Sequence, residues 1–159
     1  MMRTAAFILG FFICFSLCGQ KKKELKKHKI RCIATTETEG ARTINDSKEY
    51  YNADGELITE INYDKDGNLK STKQYKYING NDLSQEIQYD AHNVIIEKTI
   101  YSYNSLGEKT GELIKDKDDK ILKRMEFLYN ANGLKSERRT YDAANKLVSV
   151  KKYNYNCKQ

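Results

Sequence analysis

Short runs of alternating apolar and polar residues fill most of this chain, and Asn, Asp and Gly interrupt them at regular intervals. Tyrosine marks the interval, at Tyr51, Tyr63, Tyr77, Tyr89, Tyr103, Tyr129, Tyr141 and Tyr155, with spacings of 12 and 14 residues. The one gap of 26 equals one spacing of each kind and places Lys115 where a tyrosine is missing. A fixed period of this length indicates a tandem repeat of one small structural unit.

The residues inside each unit are typical of a strand followed by a tight turn. Asp or Asn follows the tyrosine, Gly or Asn stands near the end of the turn, and an aliphatic residue comes two positions later, as in the segment from Tyr63 to Leu69. An Asx side chain caps a bend, and Gly or Asn accepts the positive φ that closes a short hairpin. Each tyrosine therefore ends a strand, and each aliphatic residue begins the next one on the same face.

The fold class that follows is all-β, an antiparallel meander of about ten strands built from 12- and 14-residue strand-turn repeats. Apolar residues lie toward the strand ends and polar residues occupy the strand centres, which predicts an open, twisted, single-layer sheet. Departures from the repeat at Lys115 and Leu134 predict two irregular strands. The predicted strands are 29–37, 42–52, 56–64, 68–77, 82–90, 94–103, 109–115, 120–129, 133–142 and 146–155.

The N-terminal residues predict export. A basic start, a short apolar run and small or polar residues make 1–19 a signal peptide with cleavage after Gly19, too short for a membrane-spanning helix. Lipidation of Cys18 is the alternative, which would make an outer-membrane lipoprotein of a protein otherwise periplasmic or secreted. Residues 20–29 form a basic tether, interpreted as a solvated linker, and 30–159 form the β-repeat domain. The mature protein then has no transmembrane segment.

The formal net charge of +6 does not indicate nucleic-acid binding, because the excess is local. It arises at Arg3 and among the lysines of 21–29, and positions 30–159 carry 21 basic and 21 acidic residues. The predicted domain is therefore neutral, without a basic face for nucleic acid. The lysine-rich segment could also contact anionic lipid or polysaccharide.

Residues that could support catalysis or bind a metal are sparse. The two histidines are His28, in the tether, and His92, in a predicted turn. His28 and Cys32 would share one face of an extended segment, but no third group orients the histidine and no Gly-rich oxyanion site accompanies them. The acidic turns at 64–68 and 116–119 lack the bidentate Glu of a calcium loop. We therefore predict no catalytic residue, no metal site and no cofactor, and a protein that is not an enzyme.

Two cysteines follow the predicted signal, Cys32 on the first strand and Cys157 after the last. An exported protein can form disulfides, so a bond between them is one alternative. In an open meander the two ends lie roughly 40 Å apart at about 4.8 Å per strand, far beyond disulfide reach. The open sheet therefore favours two separate thiols.

The segment Tyr63-Asp64-Lys65-Asp66-Gly67-Asn68-Leu69, with the Tyr-x-Tyr triplets at 75–77, 101–103 and 153–155, resembles the YD repeat of rearrangement-hotspot proteins. It is also similar to small exported repeat proteins of gram-negative bacteria and, more weakly, to MORN-type antitoxin-like arrays. The resemblance covers 48–157 and implies β-structure that encloses, displays or binds other molecules, with no chemistry of its own.

Aromatic rows are the candidate binding surface, because tyrosine rings on a sheet can receive sugar faces or protein side chains. The first hypothesis is a non-enzymatic envelope protein that binds a glycan or a protein partner through the sheet face. The alternative is a structural or immunity-like protein that masks a protein partner by adding to its sheet edge. The predicted face comprises Tyr63, Tyr75, Tyr77, Tyr89, Tyr101 and Tyr103.

Overall fold

The computed structural model describes residues 17–79 and 81–155, and for 17–20 it describes the backbone alone. A single helix, α1 (Leu17–Lys27), precedes ten strands in the described part of the chain. The strands are β1 (Cys32–Glu39), β2 (Arg42–Tyr51), β3 (Leu57–Tyr63), β4 (Leu69–Ile78), β5 (Asp82–Asp90), β6 (Ile95–Tyr103), β7 (Lys109–Lys115), β8 (Ile121–Tyr129), β9 (Lys135–Asp142) and β10 (Leu147–Lys152).

All ten strands form one sheet in chain order, and every neighbouring pair is antiparallel. The predicted open meander is therefore confirmed. The first strand begins later than predicted, because the end of α1 occupies the preceding residues. Lys29 has a φ of 54°, and the Ile30 N–H donates to the Leu25 carbonyl at 2.9 Å, which ends the helix just before β1.

Seven of the nine hairpin turns use the same set of hydrogen bonds. In each, an Asn or Asp side-chain oxygen accepts the backbone N–H groups two and four residues later, and a residue with positive φ follows at the third position. The Asx residues are Asn52, Asp64, Asp90, Asn104, Asp116, Asn130 and Asp142. The predicted turn chemistry is thus what the structure shows.

The two strands predicted to be irregular do not differ from the other strands, because the β-bulges beside Lys115 and Tyr129 recur in the other units; this prediction is therefore wrong. Lys115 ends β7 opposite Ile121, and the adjoining turn has the same bonds from Asp116 as the other six. Leu134 follows an equivalent turn, whose bonds come from Asn130. The turn conformation depends on the Asx residue. It is therefore retained where lysine replaces the preceding tyrosine, as at Lys115, and where the residue after the glycine differs, as at Leu134.

Removing one Asx side chain should measure what a turn contributes to stability. In Asn130→Ala two backbone donors, on Asn132 and Leu134, lose their acceptor. We expect the free energy of unfolding to fall by about 1 to 2 kcal/mol in urea denaturation, since a typical hydrogen bond contributes about 1 kcal/mol. Asn130→Asp keeps an acceptor at the same place and should remain near the wild-type value. Equal losses in both variants would show that the side-chain bonds are not the stabilising feature.

The hydrophobic core is thin. Among the described residues only four hydrophobic side chains are buried, and no side chain of any kind is almost completely enclosed. The four are Leu25, Tyr51, Ile114 and Phe127. A single layer exposes both faces of every strand, so cross-strand pairs and hydrogen bonds must contribute much of the stability.

The structure corrects the interpretation of 20–29 as a solvated linker. Most of this segment belongs to α1, and the Leu25 side chain is only 3% exposed. Lysines on either side of Leu25 pair with acidic residues of β2 and the following turn, Lys21 with Glu49 at 2.9 Å and Lys26 with Asp54 at 3.2 Å. One leucine at the right helical position therefore converts a lysine-rich segment into a helix that packs on the sheet.

Candidate binding face

The face of the sheet that carries α1 is called the helix-side face here. Glu49 of β2 binds Lys21 of α1, and its cross-strand partner on β3 is Glu60. The hydroxyl of Tyr75 donates to Glu60, and Tyr75 is paired with Glu86 across β4 and β5. Since side chains alternate between faces along a strand, this places Tyr75 on the helix-side face. The same alternation places Tyr77, Tyr101 and Tyr103 there.

The two remaining tyrosines of the predicted binding face lie on the opposite side of the sheet. Tyr89 is paired across the sheet with Thr72, and Thr72 is paired with Ile61. Ile61 lies between Glu60 and Asn62, so it points away from the helix-side face, as does Tyr63 two residues later. The prediction of one shared face is therefore wrong for Tyr63 and Tyr89. The even spacing across each turn suggested a common face. A β-bulge beside each of the seven Asx turns adds one residue, however, and changes the alternation between consecutive strands.

Four tyrosines on the helix-side face form one row of equivalent bonds at one end of the strands. Each hydroxyl donates to the backbone carbonyl of the residue 20 positions earlier, at 2.8 to 2.9 Å. The donors are Tyr77, Tyr103, Tyr129 and Tyr155, and the acceptors belong to Leu57, Leu83, Lys109 and Lys135. Each bond joins the end of one strand to the start of the strand immediately before it in the sheet, so this row of rings is part of the framework.

A second row of rings lies on the same face, two residues closer to the middle of each strand. The Tyr75 hydroxyl donates to Glu60 at 2.7 Å and the Tyr101 hydroxyl donates to Glu86 at 3.2 Å. Burial raises the pKa of both tyrosines above the usual value, and the neighbouring carboxylates add to the effect. Both hydroxyls thus remain neutral donors at physiological pH, while their carboxylate partners supply negative charge to the face.

Lysine ammonium groups lie over several of these rings. Lys109 is 5.1 Å from the Tyr101 ring centre and 5.2 Å from that of Phe127, and Lys135 is 4.2 Å from Phe127 on the same face. Burial, and then the nearby charge of Lys109, lower the pKa of Lys135. The distal half of the helix-side face is therefore a mixed surface of aromatic rings, lysines and carboxylates.

The opposite face has its own polar network, at the end of the sheet farthest from α1. Arg124 lies 4.0 Å from the ring centre of Tyr141 and pairs with Glu126, which also accepts a bond from the Tyr141 hydroxyl at 2.8 Å. The bond to Arg124 and then the bond from Tyr141 lower the pKa of Glu126. These groups satisfy one another, which leaves fewer free donors here for a ligand.

Helix α1 covers the first unit of the helix-side face and leaves a cavity of about 370 Å³ beneath it. Lys22 donates to Glu56 at 3.1 Å and to Asn81 at 2.7 Å. Leu25 lines this cavity together with Tyr51, Leu57 and Tyr77. We call this surface the first groove. It contains nothing that the sequence predicted as a site except Tyr77, and the signal that could have revealed it is the single Leu25 among lysines.

The other predicted features lie in different places. Cys32 is exposed on the edge strand β1, whereas Cys157 lies outside the described residues, as does most of the predicted signal peptide. Cys18 lies in the first turn of α1. In the part of the chain that is described, no helix has the length and apolar character needed to cross a membrane, and no three His, Cys, Asp or Glu side chains converge as a metal site.

The fold defines the chain as an antiparallel β-repeat protein with an open, single-layer sheet. No protein-family model and no curated protein matches it. Among solved structures it is similar to a porin-like protein from Bacteroides uniformis, at 15% identity and a TM-score of 0.45, over 79% of this chain and 50% of that one.

Two further solved structures show a similar degree of likeness. A protein of unknown function from Bacteroides fragilis is 14% identical with a TM-score of 0.39, over 80% of this chain and 96% of that one. TarM is 17% identical with a TM-score of 0.30, over 83% of this chain and 24% of TarM. This chain thus spans about half of the porin-like protein and a quarter of TarM. At these TM-scores the likenesses assign neither a family nor a function.

Proposed function

We propose that this protein is a non-enzymatic, exported binding protein that engages a macromolecular partner through the helix-side face of its sheet. The observation that carries the proposal is the docked helix α1. It demonstrates that this face can bury a helix by combining one leucine with lysine-carboxylate pairs. Within residues 17–79 and 81–155, helix α1 covers the part of the face around Tyr51 and Glu56, and no other segment covers the strands beyond it in this way.

A protein partner is favoured over a glycan by the condition of the rings. Sugar binding needs free aromatic faces and free polar groups at their edges. Here lysines lie over Tyr101 and Phe127, and the hydroxyls of Tyr75, Tyr101 and Tyr103 already donate to internal acceptors. Lysines, carboxylates and half-buried rings are instead groups that a protein surface complements.

Masking of a partner through the sheet edge is the second candidate, and strand β10 supports it. All six of its residues are exposed, including the apolar Leu147, Val148 and Val150. An edge strand with exposed apolar side chains and unpaired backbone groups is a template for an added strand. The lysines at 151 and 152 limit how far such pairing extends.

One co-sedimentation experiment can separate these surfaces. Purified peptidoglycan, outer-membrane polysaccharide and a solubilised envelope-protein fraction immobilised on beads would be tested with the wild type and three variants. Tyr75→Ala/Tyr101→Ala changes the helix-side face, Val150→Lys changes the edge, and Tyr89→Ala is a control on the opposite face. Circular dichroism verifies that each variant is folded.

The expected result is retention on the protein beads that falls by about tenfold in the Tyr75→Ala/Tyr101→Ala variant, as truncation of aromatic anchors produces. Val150→Lys and Tyr89→Ala should behave as the wild type. Loss of retention on the protein beads in Val150→Lys alone would show that the partner binds the edge strand β10. Retention on either polysaccharide with the same variant profile would make the ligand a glycan, and unchanged retention in every variant would contradict binding through this face.

A further inference from the structure

The repeat places a near-copy of the first groove 52 residues further along the chain. Tyr51, Asn52, Gly55, Glu56 and Tyr77 recur there as identical residue types. Their counterparts are Tyr103, Asn104, Gly107, Glu108 and Tyr129, and we call this surface the second groove. The two grooves lie four strands apart on the same face, roughly 19 Å at about 4.8 Å per strand.

The turns of the two grooves have the same geometry. In the first groove the Asn52 side-chain amide donates to Glu56 at 2.7 Å, and its oxygen accepts the Glu56 N–H at 3.0 Å. In the second, Asn104 makes the same bonds to Glu108 at 2.7 and 3.0 Å. The glutamate that receives Lys22 of α1 therefore has a counterpart held in the same way.

The difference between the grooves is that the described residues cover the first groove and leave the second one open. The position of a β-carbon on Gly55 would lie 2.8 Å from the Lys22 backbone carbonyl, so α1 rests directly on this glycine. Around the equivalent position on Gly107 no described atom beyond its chain neighbours lies within 4 Å. Glu56 is buried beneath α1, whereas Glu108 is half-buried.

The second groove also has a charge available for a partner. One oxygen of Glu56 accepts from Asn52 and the other from Lys22. In Glu108 one oxygen accepts from Asn104, and no described cation forms an ion pair with this carboxylate. A lysine at the position of Lys22 on an incoming helix would reproduce the bond from Lys22 to Glu56.

Four substitutions between the grooves change what the incoming helix must carry. One is Gly133, which replaces Asn81 and removes the second acceptor of Lys22. Tyr101 replaces Glu49, so the acidic partner of Lys21 is absent. Lys109 replaces Leu57, and its ammonium group pairs with Glu112 and lies 5.1 Å from the Tyr101 ring centre. Leu106 replaces Asp54, the partner of Lys26. Its side chain is 81% exposed, the highest value among the exposed large hydrophobic residues of the described chain.

We infer that the second groove binds a short amphipathic helix of a partner protein. Read in the numbering of α1, that helix carries lysine at position 22 for Glu108 and an aliphatic residue at position 25 for Tyr103 and Tyr129. It carries an acidic residue at position 21, which shares Lys109 with Glu112, and an aliphatic residue at position 26 for Leu106. This inference rests on the proposed function and specifies the partner; the same substitutions exclude a second copy of α1 as the preferred ligand.

The probe is a synthetic peptide of residues 20–28 that carries Lys21→Glu and Lys26→Leu. A hydrocarbon staple between positions 23 and 27, both exposed in α1, holds it helical, because so short a helix is marginal in water. Fluorescence anisotropy would measure its binding to the protein. We expect saturable binding that weakens by about tenfold in Glu108→Gln, as loss of one charged partner at a part-buried contact produces.

Three controls accompany this measurement. Asp116→Asn removes the same charge from a turn at the opposite end of the strands, Glu56→Gln changes the first groove, and the stapled peptide with the natural Lys21 and Lys26 tests the specificity. The two protein controls should bind the probe as the wild type does, and the natural peptide should bind several-fold more weakly. Equal affinity for wild type and Glu108→Gln overturns the inference.

Two other outcomes also overturn the inference. One is that the probe does not bind the protein, and the other is that Glu56→Gln weakens its binding, which would mean that the probe displaces α1. Failure of this inference is distinguishable from failure of the proposed function. If the probe does not bind but the Tyr75→Ala/Tyr101→Ala variant still loses its partner, the face is functional and only the helical ligand is wrong.

Discussion

Replacing Gly55 by alanine is expected to release helix α1 from the sheet, whereas the same replacement at Gly107 should leave α1 in place. The two glycines have nearly the same backbone conformation, with φ of 75° and 77°, so an alanine is strained by about 1 kcal/mol at either position. At Gly55 alone, the new methyl group would lie 2.8 Å from the Lys22 carbonyl, and backbone cannot move aside without undocking the helix.

Hydrogen exchange measured by mass spectrometry is the appropriate measurement, because it reports local opening separately from global unfolding. In Gly55→Ala the amides of α1 should exchange at least about tenfold faster than in the wild type, with strands β4 to β10 unchanged. In Gly107→Ala the α1 amides should keep their wild-type protection. Similar protection of α1 in both variants would mean that contact with Gly55 does not hold the helix.

The second large effect is expected for Phe127→Ala. Phe127 is 7% exposed and lies between Lys109 and Lys135, whose ammonium groups are 5.2 and 4.2 Å from its ring centre. Truncation leaves a cavity and removes aliphatic and cation-π contacts from both lysines. We expect the free energy of unfolding to fall by about 3 kcal/mol in urea denaturation.

Leu128 provides the matched control, because it is the next residue in the chain and points to the opposite face, where it is 38% exposed. Leu128→Ala should cost about 1 kcal/mol or less, since much of its apolar surface is already in water. A comparable loss in both variants would show that the greater burial of Phe127 on the helix-side face does not give it a larger share of the stability. Unchanged stability in Phe127→Ala would show the same.

The position of α1 has a consequence for how the protein uses its face. In an open repeat sheet each strand contacts only the strands beside it, so the first and last repeat units have a packing neighbour on one side only. Helix α1 covers the first unit and buries Tyr51 and Glu56 there. The far end of the face has no comparable cover in the described chain, which is why the second groove remains accessible.

Much of the fold could be predicted because its determinants are local. The Asx residue and the positive-φ residue three positions later, such as Asp64 and Gly67, lie in one short segment and form the turn without distant contacts. The same local rule explains why the array remains regular past Lys115, against the prediction. Seven of the nine hairpin connections, and with them the pairing of Tyr63 with Leu69, follow from such turns.

The binding face was predicted only in part. Tyr75, Tyr77, Tyr101 and Tyr103 share the helix-side face, whereas Tyr63 and Tyr89 do not. Counting positions along the chain missed the bulge that accompanies each turn, and a single added residue transfers the next side chain to the other face. The grooves themselves depend on residues about 26 positions apart, such as Tyr51 and Tyr77, which sequence spacing alone did not connect.

The sequence by itself therefore determined the all-β class, the ten strands and their antiparallel order, because hydrogen bonds within single turns specify them. Tertiary structure alone decided that the lysine-rich segment before β1 is a docked helix, and which tyrosines share a face. The physical reason is that Leu25 is buried, and Lys21 and Lys22 are paired, only when the sheet has already brought Glu49, Glu56 and Tyr77 together. A segment with one leucine among lysines has too little apolar surface to specify that arrangement without the sheet.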